Sequence, residues 1–82
     1  VDLDRAARDY RRAMAAVESA KQAAERKIAE ARQRAETARI TLAAAMIEAA
    51  NDGVRPVEIQ KRTGYTKERV RQILRAGGVE PD

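Results

Sequence analysis

Five side chains towards the C-terminus share a spacing that suits recognition chemistry. Lys67, Glu68, Arg71, Gln72 and Arg75 stand at i, i+1, i+4, i+5 and i+8. On a helix that spacing makes one polar face, opposite Val70, Ile73 and Leu74. Arg and Gln offer paired hydrogen bonds that fit the edges of DNA bases, and Glu68 can accept from a cytosine amino group. Lys61, Arg62, Thr66 and Arg69 flank this face and suit phosphate oxygens, which position a helix without reading sequence. Residues 66–76 carry Lys67, Arg69, Arg71 and Arg75 against Glu68 alone, a local +3 within a chain whose net charge is +4.

These groups need a scaffold, and the neighbouring residues describe one. Pro56 fits the first position of a short helix, where its missing N–H is not needed. That helix, 56–63, has Val57 and Ile59 as its apolar contacts and ends at Gly64. Thr66 is the expected N-cap of a further helix running to about Ala76, stopped by Gly77-Gly78. Two short helices joined by a tight glycine-containing turn, the second of them basic, form the pattern of a DNA-reading helix-turn-helix.

The stretch Glu58-Ile59-Gln60-Lys61-Arg62-Thr63-Gly64-Tyr65-Thr66-Lys67-Glu68-Arg69-Val70-Arg71-Gln72-Ile73 resembles the fourth conserved region of bacterial primary sigma factors. That family's motif reads Glu-Ile-Gly-(Lys/Arg)-Arg-Leu-Gly-Val-(Ser/Thr)-Arg-Glu-Arg-Val-Arg-Gln-Ile. The resemblance covers 16 of 82 residues and is most specific through Lys67–Ile73. It implies that Lys67, Glu68, Arg71 and Gln72 face DNA in the major groove. Among the departures from the family, three bear on the reading head. Gln60 replaces a glycine at the helix crossing, Arg55 stands where a hydroxyl cap is preferred, and Lys67 replaces an arginine, which removes a bidentate fork for guanine. Nothing resembles the promoter-melting or polymerase-binding regions, so the likeness is to a reading head and not to a whole sigma factor.

Upstream, residues 2–51 contain neither Gly nor Pro and are dominated by strong helix formers. Asp2 and Asp4 are expected in the first turn, where they suit the helix dipole, and Asn51-Asp52-Gly53 ends the run. Such a helix is roughly 70 Å long and cannot stand alone in water. Positions 3, 10, 17, 24, 31, 38 and 45, alternating with 7, 14, 21, 28, 35, 42 and 49, are apolar except at Lys21. That is a coiled-coil seam with the first set at d and the second at a; Leu3, Tyr10, Met14, Val17, Ile28 and Leu42 are its large members. Ile40, Ala43, Ala44, Met46, Ile47 and Ala50 add apolar surface off the seam, to be covered by the segment that follows.

The expected fold is therefore all-α: a long N-terminal coiled-coil helix running into a C-terminal three-helix helix-turn-helix. The expected domains are a dimerisation helix, 1–38, and a DNA-binding domain, 39–82, whose first helix continues the coiled coil. A homodimer follows from the seam. A parallel pair would set Lys27 against Arg32 and Arg34 against Arg39, whereas an antiparallel pair can place Glu18 by Arg39 and Glu25 by Arg32, so the balance leans antiparallel. Each exposed pair is worth only a few tenths of a kcal/mol.

Composition excludes much else. There is no Cys, no His, no Phe and no Trp, which leaves no thiol, imidazole or zinc cluster. Ser19 is the single serine and has no base near it in sequence, and no glycine-rich phosphate loop is present. No enzymatic activity, metal or cofactor is expected. The longest apolar run, Leu42–Ile47, is far short of the roughly 20 residues that span a bilayer. Double-stranded DNA is the expected partner and the cytoplasmic nucleoid the expected location. A DNA-bridging architectural protein and a coiled-coil module for a protein partner such as RNA polymerase are the competing functions.

Overall fold

The uninterrupted run of helix formers does what its composition dictates. In the computed structural model of the protein, which describes residues 2–80, α1 runs from Leu3 to Asn51 over 49 residues. Two shorter helices follow, α2 (Pro56–Thr63) and α3 (Lys67–Ala76), and the described residues contain no strand. The chain is all-helical, as expected. Its internal contacts divide it into two units, Val1–Ala35 and Glu36–Asp82.

The first unit contains only α1. Asp2 precedes the helix instead of sitting inside it, and its Oδ1 accepts from the Asp4 N–H at 3.0 Å and the Arg5 N–H at 3.4 Å. This is a side-chain N-cap, which satisfies two of the otherwise orphaned first-turn donors. Leu3, Tyr10, Met14, Val17 and Ile28 are all exposed, Leu3 by 80% and Tyr10 by 66%. Alanine at most other seam positions keeps the helix regular but buries little per residue.

The second unit has a small core. Met46 of α1, Ile59 of α2 and Val70 and Leu74 of α3 are buried, and Leu42, Ile47, Ala50, Val54, Tyr65 and Ile73 pack partly against them. Each helix thus contributes its most apolar face to one cluster. Leu42, expected on the dimer seam, is already half-buried here. Ile40 is 57% exposed and Ala44 is exposed too, contrary to the expected cover. The helical period explains both, since they lie about 120° and 160° round α1 from Met46. Val57, expected as an apolar contact, is likewise exposed. It is two residues from Ile59, and such neighbours project from opposite sides of a helix.

The helix ends are closed by backbone hydrogen bonds. After α1 the Gly53 N–H donates to Ala50 O at 3.1 Å and the Val54 N–H to Ala49 O at 2.9 Å, with Gly53 at φ 97°. This is a Schellman stop. The end of α3 repeats it one residue later than the Gly77 position suggests: Gly78 takes φ 81°, and the Gly78 and Val79 N–H groups donate to Arg75 O and Leu74 O. Gly77 has an ordinary φ of −84°, and its role is spatial. A Cβ at this position would collide with the Ile47 side chain, so the missing methyl lets the end of α3 close on α1.

Gly77→Ala should therefore lower the stability of the unit by about 1–3 kcal/mol, the usual cost of overpacking. Urea unfolding followed by far-UV circular dichroism measures it. An unchanged midpoint would mean that this close approach is not a constraint.

Candidate nucleic-acid interface

The start of α3 is fixed by a hydroxyl. Thr66 has extended backbone, φ −69° and ψ 159°, and its Oγ1 accepts from the Arg69 N–H at 3.1 Å, the N-cap expected from sequence. A second hydroxyl, which the sequence reading passed over, ties down the turn before it. Thr63 donates through Oγ1 to Ile59 O at 2.8 Å and accepts from the Tyr65 N–H at 3.2 Å. Gly64, between them, takes the left-handed conformation (φ 75°) that the tight turn requires. The register between α2 and α3 is thus set by two hydroxyls and one glycine. The start of α2 has no equivalent: Arg55 is extended at the N-cap and its side chain caps nothing.

Val70 and Leu74 bury one side of α3, and the helical period then places the rest. Glu68, Gln72 and Arg75 lie about 140–200° round from Val70 and face straight outwards. Lys67 and Arg71, at about 60° and 100°, stand on the flank next to the α1–α2 turn, and Arg69 stands on the other flank. All six are exposed. Of the remaining phosphate candidates, Lys61 is exposed on α2 and Arg62 is held by Glu58 at 3.2 Å. The oxygen of Thr66 is engaged in capping Arg69, which leaves its hydroxyl hydrogen as the group able to reach a phosphate.

The outward face is internally organised. Arg71 grips Glu68 through both edges of its fork, Nη2 to Oε1 at 2.6 Å and Nε to Oε2 at 3.0 Å. The Arg71 hydrogen bond holds the Glu68 carboxyl below its ordinary range against an opposing desolvation, with further help from the Arg71 charge, Gln72 and Arg75. Reciprocally, Glu68 raises the Arg71 guanidinium further above neutrality. A similar bidentate pair, Arg39 with Glu36 at 2.6 Å, straddles the expected domain boundary at residue 38. Arg39, assigned by charge pattern to a partner's Glu18, is therefore already engaged within its own helix.

Beside this face lies a groove of about 470 Å³, with Val54, Pro56 and Leu74 among its lining residues and Arg55, Lys67, Arg71 and Arg75 also bordering it. Arg55 is a member of this basic group that sequence spacing did not single out, because it reaches the site from a different segment. Among the described residues no three His, Cys, Asp or Glu side chains converge to hold a metal ion, and no helix is long and apolar enough to cross a membrane.

No family model, curated protein or solved structure matches the chain.

The carboxyl of Glu68 titrates below its unfolded value, so its ion pair contributes fully above the ordinary carboxylate range and is lost as pH falls through the lowered value. A carboxyl-detected NMR titration should find Glu68 ionised below the pH at which a free glutamate protonates. In Arg71→Ala the midpoint should move back up towards the ordinary value. An unmoved midpoint would show that Arg71 does not hold the carboxylate in solution.

Proposed function

We propose that the chain is a small DNA-binding regulator that reads the major groove with α3 and dimerises through α1, acting in the cytoplasmic nucleoid. The observation that carries this reading is the exposed surface of α3, where Glu68, Gln72 and Arg75 face away from buried Val70 and Leu74 and Arg71 joins them from the flank through its pair with Glu68. A ten-residue helix with a capped start, a fixed turn before it and donors and an acceptor along one side is suited to bidentate base contacts. The likeness of residues 58–73 to the fourth conserved region of primary sigma factors supports the same assignment. Lys61, Arg62, Thr66 and Arg69 take the phosphates on this reading.

Dimerisation is supported by the exposure of Leu3, Tyr10, Met14, Val17 and Ile28 along the seam. A single head this small makes few contacts, and coupling two heads raises the effective concentration of the second. Sedimentation equilibrium should give a dimer, with Ile28→Ala weakening association by about 1–3 kcal/mol per chain. A folded monomer at tens of micromolar would overturn the dimer.

Fluorescence anisotropy on duplexes selected from a random pool, and on scrambled versions, tests the reading head. Arg71→Ala and Gln72→Ala should each cost about 1–3 kcal/mol on the selected site and flatten the preference at one base position. Lys61→Ala should weaken all duplexes alike and reduce the salt slope by about one. Equal losses on both duplexes for Arg71 and Gln72 would turn the reading towards an architectural protein that bridges DNA without regard to sequence.

A further inference from the structure

We propose that the groove between the α1–α2 turn and the flank of α3 binds a small anionic amphiphile: one carboxylate, phosphate or sulfonate group on an apolar body. Its volume, about 470 Å³, lies within the range of small-molecule sites. Its lining is of two kinds. Ala50, Val54, Pro56, Leu74 and Val79 supply apolar surface, while Arg55, Lys67 and Arg75 supply three positive charges beside Arg71, which Glu68 already pairs, against the single lining carboxylate of Glu80. The cations come from two separate segments and border the same hollow. Among the described residues no carboxylate lies within 4.0 Å of Arg55, Lys67 or Arg75, so none of the three is tied into an ion pair where it meets the groove.

The apolar walls are held in place without a ligand. Val54 and Val79 each occupy the position after a Schellman stop, their N–H groups bonded to Ala49 O and Leu74 O at 2.9 Å. Arg55 caps nothing and is followed by a proline that fixes its exit from the helix start, which leaves its guanidinium available. A bare phosphodiester backbone is recognised by charge and hydrogen bonds alone and gains nothing from valine and leucine walls. An occupant with both an anionic head and an apolar body uses every group that lines the site, gaining from apolar burial and from charge pairing beside a partly dehydrated surface. Lys67, Arg71 and Arg75 belong also to the face proposed to read DNA, so an occupied groove withdraws three cations from it. That regulatory consequence rests on the DNA-binding reading; the binding site does not.

The test uses the full chain with 8-anilinonaphthalene-1-sulfonate and decanoate as anionic probes, and 1-decanol and inorganic phosphate as controls. Backbone NMR should show saturable shifts at Val54 and Val79 with both probes, and much smaller ones with either control. The double variant Arg55→Glu/Arg75→Glu, shown to be folded by its unchanged melting curve, should lose about tenfold or more in probe affinity through unfavourable like-charge contact. Should that variant unfold, Arg55→Gln alone should still weaken decanoate while leaving decanol unchanged. Saturating decanoate should also weaken binding to the selected duplex. Shifts absent from Val54 and Val79, or decanol binding as tightly as decanoate, would overturn the proposal even if DNA binds normally. Probe seated in the groove of a protein that binds no DNA would sustain the site and remove the DNA-binding reading.

Discussion

The folded head depends on the burial of one methionine. Met46 is the one buried residue of α1, and it meets Ile59, Val70 and Leu74 in a core of four side chains. With no Phe or Trp in the chain, these aliphatic contacts carry most of the apolar burial that offsets the entropy of ordering α2 and α3. Helices of eight and ten residues do not hold their shape in water unaided. Their persistence, and hence the geometry of the charged face, follows from their packing on the last turns of α1.

Two kinds of local chemistry convert that packing into a defined orientation. At one end of α3, the hydroxyls of Thr63 and Thr66 fix the turn and the helix start. At the other, the missing side chain of Gly77 lets the chain close on Ile47. The helix is held at both ends by groups with no charge, which leaves its charged residues free to face outwards. The groove follows the same division: of its walls, Val54 and Val79 belong to the helix stops and Leu74 to the core, while the bordering cations are exposed residues.

Much of this was legible in the sequence. The unbroken run to Asn51, the Thr66 cap and the Gly64 turn are written in local residue types whose conformational preferences do not depend on distant partners. For Val57 and Ile40 apolar character alone predicts burial, whereas the helical period puts both on the solvent side. The bidentate grip of Arg71 on Glu68 is not legible in the sequence for a different reason. Spacing places the two on neighbouring turns, but it does not say whether a cation turns to its own helix or away from it. Arg55 stayed hidden because its relation to Lys67 and Arg75 exists only in three dimensions.

The Glu68–Arg71 pair has a consequence for discrimination on the DNA-binding reading. Glu68 takes two of the five N–H donors of Arg71, so a phosphate that approaches the remaining donors meets the negative charge of Glu68 beside them. A base step presenting an acceptor to Arg71 and an amino group to Glu68 satisfies both partners at once and asks neither to be abandoned. The internal ion pair then acts as a built-in competitor, setting a threshold that random duplex fails to clear and a matched one passes. Long-range attraction is sacrificed to it, since the pair is neutral at a distance. Selectivity at this surface would come from what the protein already binds within itself.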